Sequence, residues 1–134
     1  MIVEGKSTGR LWIDKIFDLR VDDGPEPLAE IRRLVSIRRA YIHRYRAGAA
    51  VERGDLETME REYAAAERLI GEKPEMRYWH AIALLTLGKS DDGIAMLSEI
   101  ATRDRNWVEL TLRLPSMKWL PDPSVTERVR KLLK

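Results

Sequence analysis

No cysteine occurs in the chain, which excludes a disulfide framework, a cysteine-ligated zinc site and a thiol nucleophile. Long apolar runs are also missing. The most apolar stretch, Ala81 to Leu87, is too short to span a bilayer, so no membrane partner is expected. Met1 to Arg10 contains no apolar segment of signal-peptide length, and the default expectation is a cytoplasmic location. Charge of one sign is scarce as well. The net charge is +2, too small for a whole-molecule positive field that would demand nucleic acid. Histidine is limited to His43 and His80 without a His-x3-His spacing, so no metal and no cofactor are expected. Present instead are 134 residues that are 44% hydrophobic and 34% charged, the composition of a soluble domain large enough to form one core without cross-links.

The first two dozen residues differ from the rest. Ile2-Val3-Glu4, Leu11-Trp12-Ile13 and Ile16 to Val21 read as short strands, with Ser7-Thr8-Gly9 as a turn. Asp22-Asp23-Gly24-Pro25-Glu26-Pro27 breaks any strand, because two prolines remove donors and fix φ. The expected division is therefore a short β segment and linker over 1–24 and a helical domain over 25–134.

Leu28 to Arg53 carries no stop signal. Ile31, Val35, Ile42, Tyr45 and Ala49 recur at helical spacing and predict one buried face. Gly54 ends this helix, being free to take φ > 0. Asp55 caps a second helix with the stripe Leu56, Met59, Tyr63, Ala66 and Ile70, closed by Gly71. Pro74 opens a third, ended at Gly88. It is apolar nearly all round, from Met76, Tyr78 and Trp79 to Leu84, Leu85 and Leu87, and should be the centre of the fold, with Trp79 enclosed. Ser90 is the expected cap of a fourth helix, with Asp91 and Asp92 favouring its positive end. Asn106-x-x-Glu109 suggests a capping box for a fifth, stopped by Pro115, and Asp122-Pro123 opens a last helix carrying Val125, Val129, Leu132 and Leu133.

The punctuation is periodic. Gly54 and Gly88 lie 34 residues apart, and the same lag places Ala47 on Ala81, Ala49 on Ala83, Tyr45 on Trp79, Ile42 on Met76, Val51 on Leu85 and Tyr63 on Leu97. This pattern resembles the tetratricopeptide repeat, a helix–turn–helix unit of about 34 residues. Two units would run from about Ala40 to Trp107, although Gly71 and Arg105 stand where the repeat ordinarily has proline. Each pair leaves one apolar side open, to be closed by neighbours or end caps, here the last helices and the front of the first.

A second likeness covers nearly the whole chain. The junction Asp18 to Pro27 followed by Leu28 to Leu34, the segment Pro74 to Ala81, and Asn106-Trp107 to Leu114-Pro115 resemble the C-terminal domain of an uncharacterised bacterial and archaeal family. In that family an N-terminal domain resembles the N-terminal-nucleophile hydrolases, and the C-terminal domain is labelled peptidoglycan-binding. The resemblance implies a helical domain with cell-wall glycan as an alternative ligand, or an accessory fragment of a hydrolase-like protein. The hydrolase-like domain is missing from this chain, so no catalytic residue carries over; Ser7 and Thr8 have no base nearby in sequence.

Candidate chemistry is sparse, and no enzymatic activity is expected. His80 sits between Met76 and Leu84 on a helical face, as a hydrogen-bonded core histidine would, while His43 should be partly exposed. Glu57, Glu60, Glu62 and Glu67 alternate with Arg61 and Arg68 as on a solvated face. Arg38 falls on the apolar stripe of the first helix and needs a partner or a route to solvent. Residues 26–53 hold seven Arg against three Glu, and 54–75 hold seven acids against three bases. Arg32, Arg39, Arg46 and Arg53 recur every seven residues along one flank. They could neutralise phosphates beside Tyr41 and Tyr45, but pairing with the acidic second helix is favoured, and nucleic acid is not the expected partner. Trp79 and Trp107 should pack; Trp12 and Trp119 flank loops, where aromatic residues anchor partners.

The expected architecture is mostly α: a tetratricopeptide-like stack of antiparallel helix pairs with a short N-terminal β segment and a helical C-terminal cap. By analogy with such repeats the first helix of each pair lines an inner groove, which nominates Tyr41, Arg44, Gly48, Tyr78 and Ile82 for binding. The expected role is a non-catalytic module for a protein or peptide partner, or for a second copy of itself as a homodimer.

Overall fold

The computed structural model describes residues 2–3, 18–19, 25–71, 73–114 and 122–132. Two compact units are present, Met1–Arg38 and Arg39–Lys134, divided within the longest helix. In the first unit β1 (Ile2–Val3) and β2 (Asp18–Leu19) pair antiparallel, Ile2 with Leu19 and Val3 with Asp18. These four residues do not support the β segment expected over 1–24. Ser7, Thr8, Trp12, Leu11, Ile13, Ile16 and Phe17 lie outside the described residues, as do Pro115, Trp119 and Leu133.

Six α-helices are described: α1 (Pro27–Glu52), α2 (Leu56–Ile70), α3 (Pro74–Thr86), α4 (Ser90–Arg103), α5 (Asn106–Arg113) and α6 (Pro123–Lys131). Several boundaries follow from local chemistry. Asp55 accepts the Thr58 N–H at 3.0 Å and Asp122 accepts the Ser124 N–H at 2.8 Å, each satisfying a donor that a helix start leaves open. Two expected caps differ. Ser90 is already helical and follows Lys89, which makes no side-chain cap bond. The Asn106 capping box does not form either: the Asp104 carboxylate accepts the Asn106 N–H at 2.9 Å, a charged acceptor taking the role from a neutral amide.

The 34-residue lag reappears as geometry. Gly54 has φ 71° and Gly88 φ 80°. Gly54 N–H donates to the Val51 carbonyl and Asp55 N–H to Ala50, and 34 residues later Gly88 donates to Leu85 and Lys89 to Leu84. This pair of bonds is the Schellman arrangement, which needs a left-handed residue and so favours glycine. Burial repeats with it: Ala47, Ala50, Tyr63 and Ala66 are buried, and so are Ala81, Leu84, Leu97 and Ile100 at the same lag.

Within the second unit the core has two lobes joined at α3. One joins Ala40, Ala47 and Ala50 of α1 to Met59, Tyr63 and Ala66 of α2 and to Met76, Ala83 and Leu84 of α3. The other joins Tyr78, Ala81, Ile82 and Leu85 of α3 to Leu97 and Ile100 of α4, Val108 of α5 and Val125 and Val129 of α6. The last two helices thus close the open side of the α3–α4 pair. Trp79 packs against both lobes but is only partly buried, not enclosed.

One expectation fails in an informative way. Ile42, Tyr45 and Ala49 were expected to be core, yet all three are exposed, with Tyr45 at 63%. The buried face of α1 is its alanine face. Side chains of α2 and α3, among them Met59, Tyr63, Met76 and Leu84, cover that face, and the larger apolar residues point outward. Arg38, on the same stripe, is partly buried and has an interaction partner.

Candidate functional site

Between α1 and α3 runs a groove of about 650 Å³. From α1 come Arg44, Tyr45, Gly48, Ala49, Val51 and Glu52; from α3 come Trp79, Ile82, Ala83 and Thr86, with Tyr63 of α2 at its floor. Eight of these positions form four pairs at the 34-residue lag: Tyr45 with Trp79, Gly48 with Ile82, Ala49 with Ala83, and Glu52 with Thr86. The groove is therefore built by the same face of two successive first helices.

Gly48 opens the groove. A Cβ at this position would meet nothing within 4 Å, so the space beside α1 is free. Arg44 places its guanidinium 5.0 Å from the centre of the Trp79 ring, a cation–π contact. Its Nε is buried without a hydrogen-bond partner. The site therefore holds a donor the chain leaves unsatisfied, which costs about 1–3 kcal/mol until an acceptor arrives. Burial pushes the Tyr63 phenol up to about 12, so its hydroxyl stays neutral across the physiological range.

Of the five nominated residues, Arg44, Gly48 and Ile82 line the groove. Tyr78 does not: it is fully buried, with its hydroxyl 3.4 Å from that of Thr111 and its ring beside Trp79 and Trp107. Burial also raises its phenol pKa. Tyr41 lies outside the lining and donates to the Glu75 carboxylate at 2.9 Å. For Tyr78 the cause is helical phase, since one residue turns a side chain by about 100°; Tyr41 shares the phase of Tyr45 and Gly48 but precedes Arg44, the first α1 residue of the lining. Tyr45, Ala49, Glu52, Trp79 and Thr86 were missed, although the lag already placed Tyr45 on Trp79 and Ala49 on Ala83.

The acids of α2 divide. Glu57 and Glu60 are exposed. Glu62 and Glu67 are not solvated as expected but face histidines, His43 Nδ1 at 2.7 Å and His80 Nδ1 at 3.3 Å. His80 stacks on Tyr63 with ring centres 4.6 Å apart, and its hydrogen bond holds the Glu67 carboxyl below the usual range. One pair ties α2 to α1 and the other ties α2 to α3. These imidazole–carboxylate links replace the expected arginine pairing: among the described residues Arg39, Arg46 and Arg53 are exposed, and none joins an ion pair. The reason is position, since that flank of α1 faces solvent.

Among the described residues no group of His, Asp and Glu could hold a metal ion. No helix among them is long and apolar enough to cross a membrane. No family model, no curated protein and no solved structure matches the chain.

Proposed function

We propose that the chain is a tetratricopeptide-like, non-catalytic interaction module whose α1–α3 groove receives a segment of a protein or peptide partner. The observation that carries this reading is the construction of the groove from equivalent positions of two successive helices, which is how stacked repeats make concave binding faces. Its chemistry suits a peptide. Tyr45 and Trp79 supply aromatic walls, Ile82 and Ala83 an apolar floor, and Arg44 and Glu52 charges of both signs. Aromatic residues and arginine dominate the energetics of protein interfaces.

Panning a random peptide library against the full chain tests this. Enriched peptides are expected to lose binding to a Gly48→Trp variant that fills the groove and melts within a few degrees of the parent. Failure to enrich any peptide, or equal binding to the variant, overturns the assignment.

A further inference from the structure

The outer surface of α1 between the groove and the arginine row is apolar and uncovered. Ile42 is 37% and Tyr45 63% exposed, and Ala49 is exposed between them. At about 100° per residue, this crest separates the groove edge at Tyr45 from Arg39, Arg46 and Arg53 on the next flank. The three arginines are seven residues apart and join no ion pair among the described residues.

Resting on the groove reading above, we propose that the partner segment is an acidic amphipathic helix. It lies along α1 with apolar side chains over Tyr45, Ile42 and the groove and carboxylates against Arg39, Arg46 and Arg53. Width and charge support this occupant. An arc of about 100° on a helix of about 10–12 Å diameter matches the footprint of another helix and exceeds a single strand at about 4.8 Å spacing. From Arg39 to Arg53 the row runs about 21 Å, four turns of a partner helix.

A second copy of this chain is disfavoured, because antiparallel pairing of two α1 crests would set one arginine row against the other. Nucleic acid fits less well than an acidic helix. The crest beside the row is apolar at Ile42, Tyr45 and Ala49, and the apolar face of a helix covers it where a charged sugar–phosphate backbone does not.

Fluorescence anisotropy with labelled amphipathic peptides of about 18 residues, ~27 Å long as helices, tests the proposal on the full chain. Three peptides share leucine anchors and carry Glu, Gln or Lys on the flank. The Glu peptide is expected to bind about tenfold more tightly than the Gln peptide at low salt, as three exposed charge pairs would give, and to lose the advantage at high salt. Reversing the row (Arg39→Glu, Arg46→Glu, Arg53→Glu) is expected to abolish the preference and admit the Lys peptide. All three sites are exposed, and an unchanged helical circular-dichroism spectrum checks that the variant folds.

Equal affinity for Glu and Gln peptides overturns the acidic-helix proposal and leaves the groove reading standing, whereas failure of every peptide to bind overturns both. Stronger binding of a single-stranded oligonucleotide than of the Glu peptide, or a dimer of the parent chain that Tyr45→Asp dissociates, also overturns it.

Discussion

α1 and α3 are the first helices of two pairs that close with the same glycine turn. Yet α3 buries seven residues, among them Tyr78, Leu84 and Leu85, where α1 buries Ala40, Ala47 and Ala50. The difference lies in what precedes each helix along the stack. At the 34-residue lag Met76 and Trp79 of α3 correspond to Ile42 and Tyr45 of α1; the first two pack in the lobe shared with α1 and α2, while Ile42 and Tyr45 are exposed. Second-helix packing differs too. A Cβ on Gly93 of α4 would sit 2.7 Å from the Leu85 side chain and 3.0 Å from the Ala81 carbonyl oxygen, whereas the equivalent position of α2 holds Met59, fully buried. A repeated turn therefore sets the path of each pair, and the identity of the neighbour sets which face becomes core and which becomes surface.

The sharpest break of the comparison is aromatic truncation. Tyr78→Ala should cost about 3–5 kcal/mol of unfolding free energy, as for other buried aromatics, while Tyr45→Ala, on the exposed crest, should stay within about 0.5 kcal/mol. Urea unfolding of both variants reads the contrast, and similar losses would mean that the crest is covered in the folded chain.

Glycine substitutions come next. Gly93→Ala should destabilise by about 1–3 kcal/mol through overpacking against Leu85 and the α3 backbone. Gly48→Ala, with open space around it, should stabilise by about 0.5–1 kcal/mol through its higher helix propensity. Thermal melts that moved in the same direction would remove the distinction between the tight pair and the open groove.

Gly54→Ala and Gly88→Ala sharpen the likeness rather than the difference. Each forces a Cβ into the left-handed region and should cost about 1–2 kcal/mol, the two agreeing within about 0.5 kcal/mol if the turns are equivalent. A larger gap in denaturant midpoint would show that one pair depends on its turn more than the other.

The smallest effect is electrostatic. The His80 hydrogen bond, opposed by burial, lowers the Glu67 pKa on folding below its ordinary 4.5. Its stabilisation is complete above that value and lost as pH falls through the folded-state pKa. The melting temperature should therefore drop below about pH 4.5, and Glu67→Gln should flatten that acid limb. An unchanged acid limb in the variant would separate the His80–Glu67 link from stability.

Much of the fold was legible because its signals are local. Gly54, Gly71 and Gly88 all take positive φ, Asp55 and Asp122 cap as expected, and Met59, Tyr63 and Ala66 are buried on the expected face of α2. The cap at Asn106 was misplaced because the Asp104 carboxylate accepts the Asn106 N–H, and the cap at Ser90 because the helix already includes it, after a Lys89 that makes no side-chain cap bond. The site was half legible. The lag pointed to the paired first helices and to Arg44, Gly48 and Ile82, but hydropathy drew Ile42 and Tyr45 inward and could not tell Tyr78 from Trp79. No local pattern linked Glu62 to His43 or Glu67 to His80, since those pairs form only when α2 lies against α1 and α3.

What the residue order determined alone is where helices start, stop and reverse, because capping bonds and left-handed glycines act over a few residues. Which side of α1 became core was decided only in three dimensions. Side chains of α2 and α3 cover the alanine face, and burial depends on where the neighbours lie as much as on the hydrophobicity of the side chain.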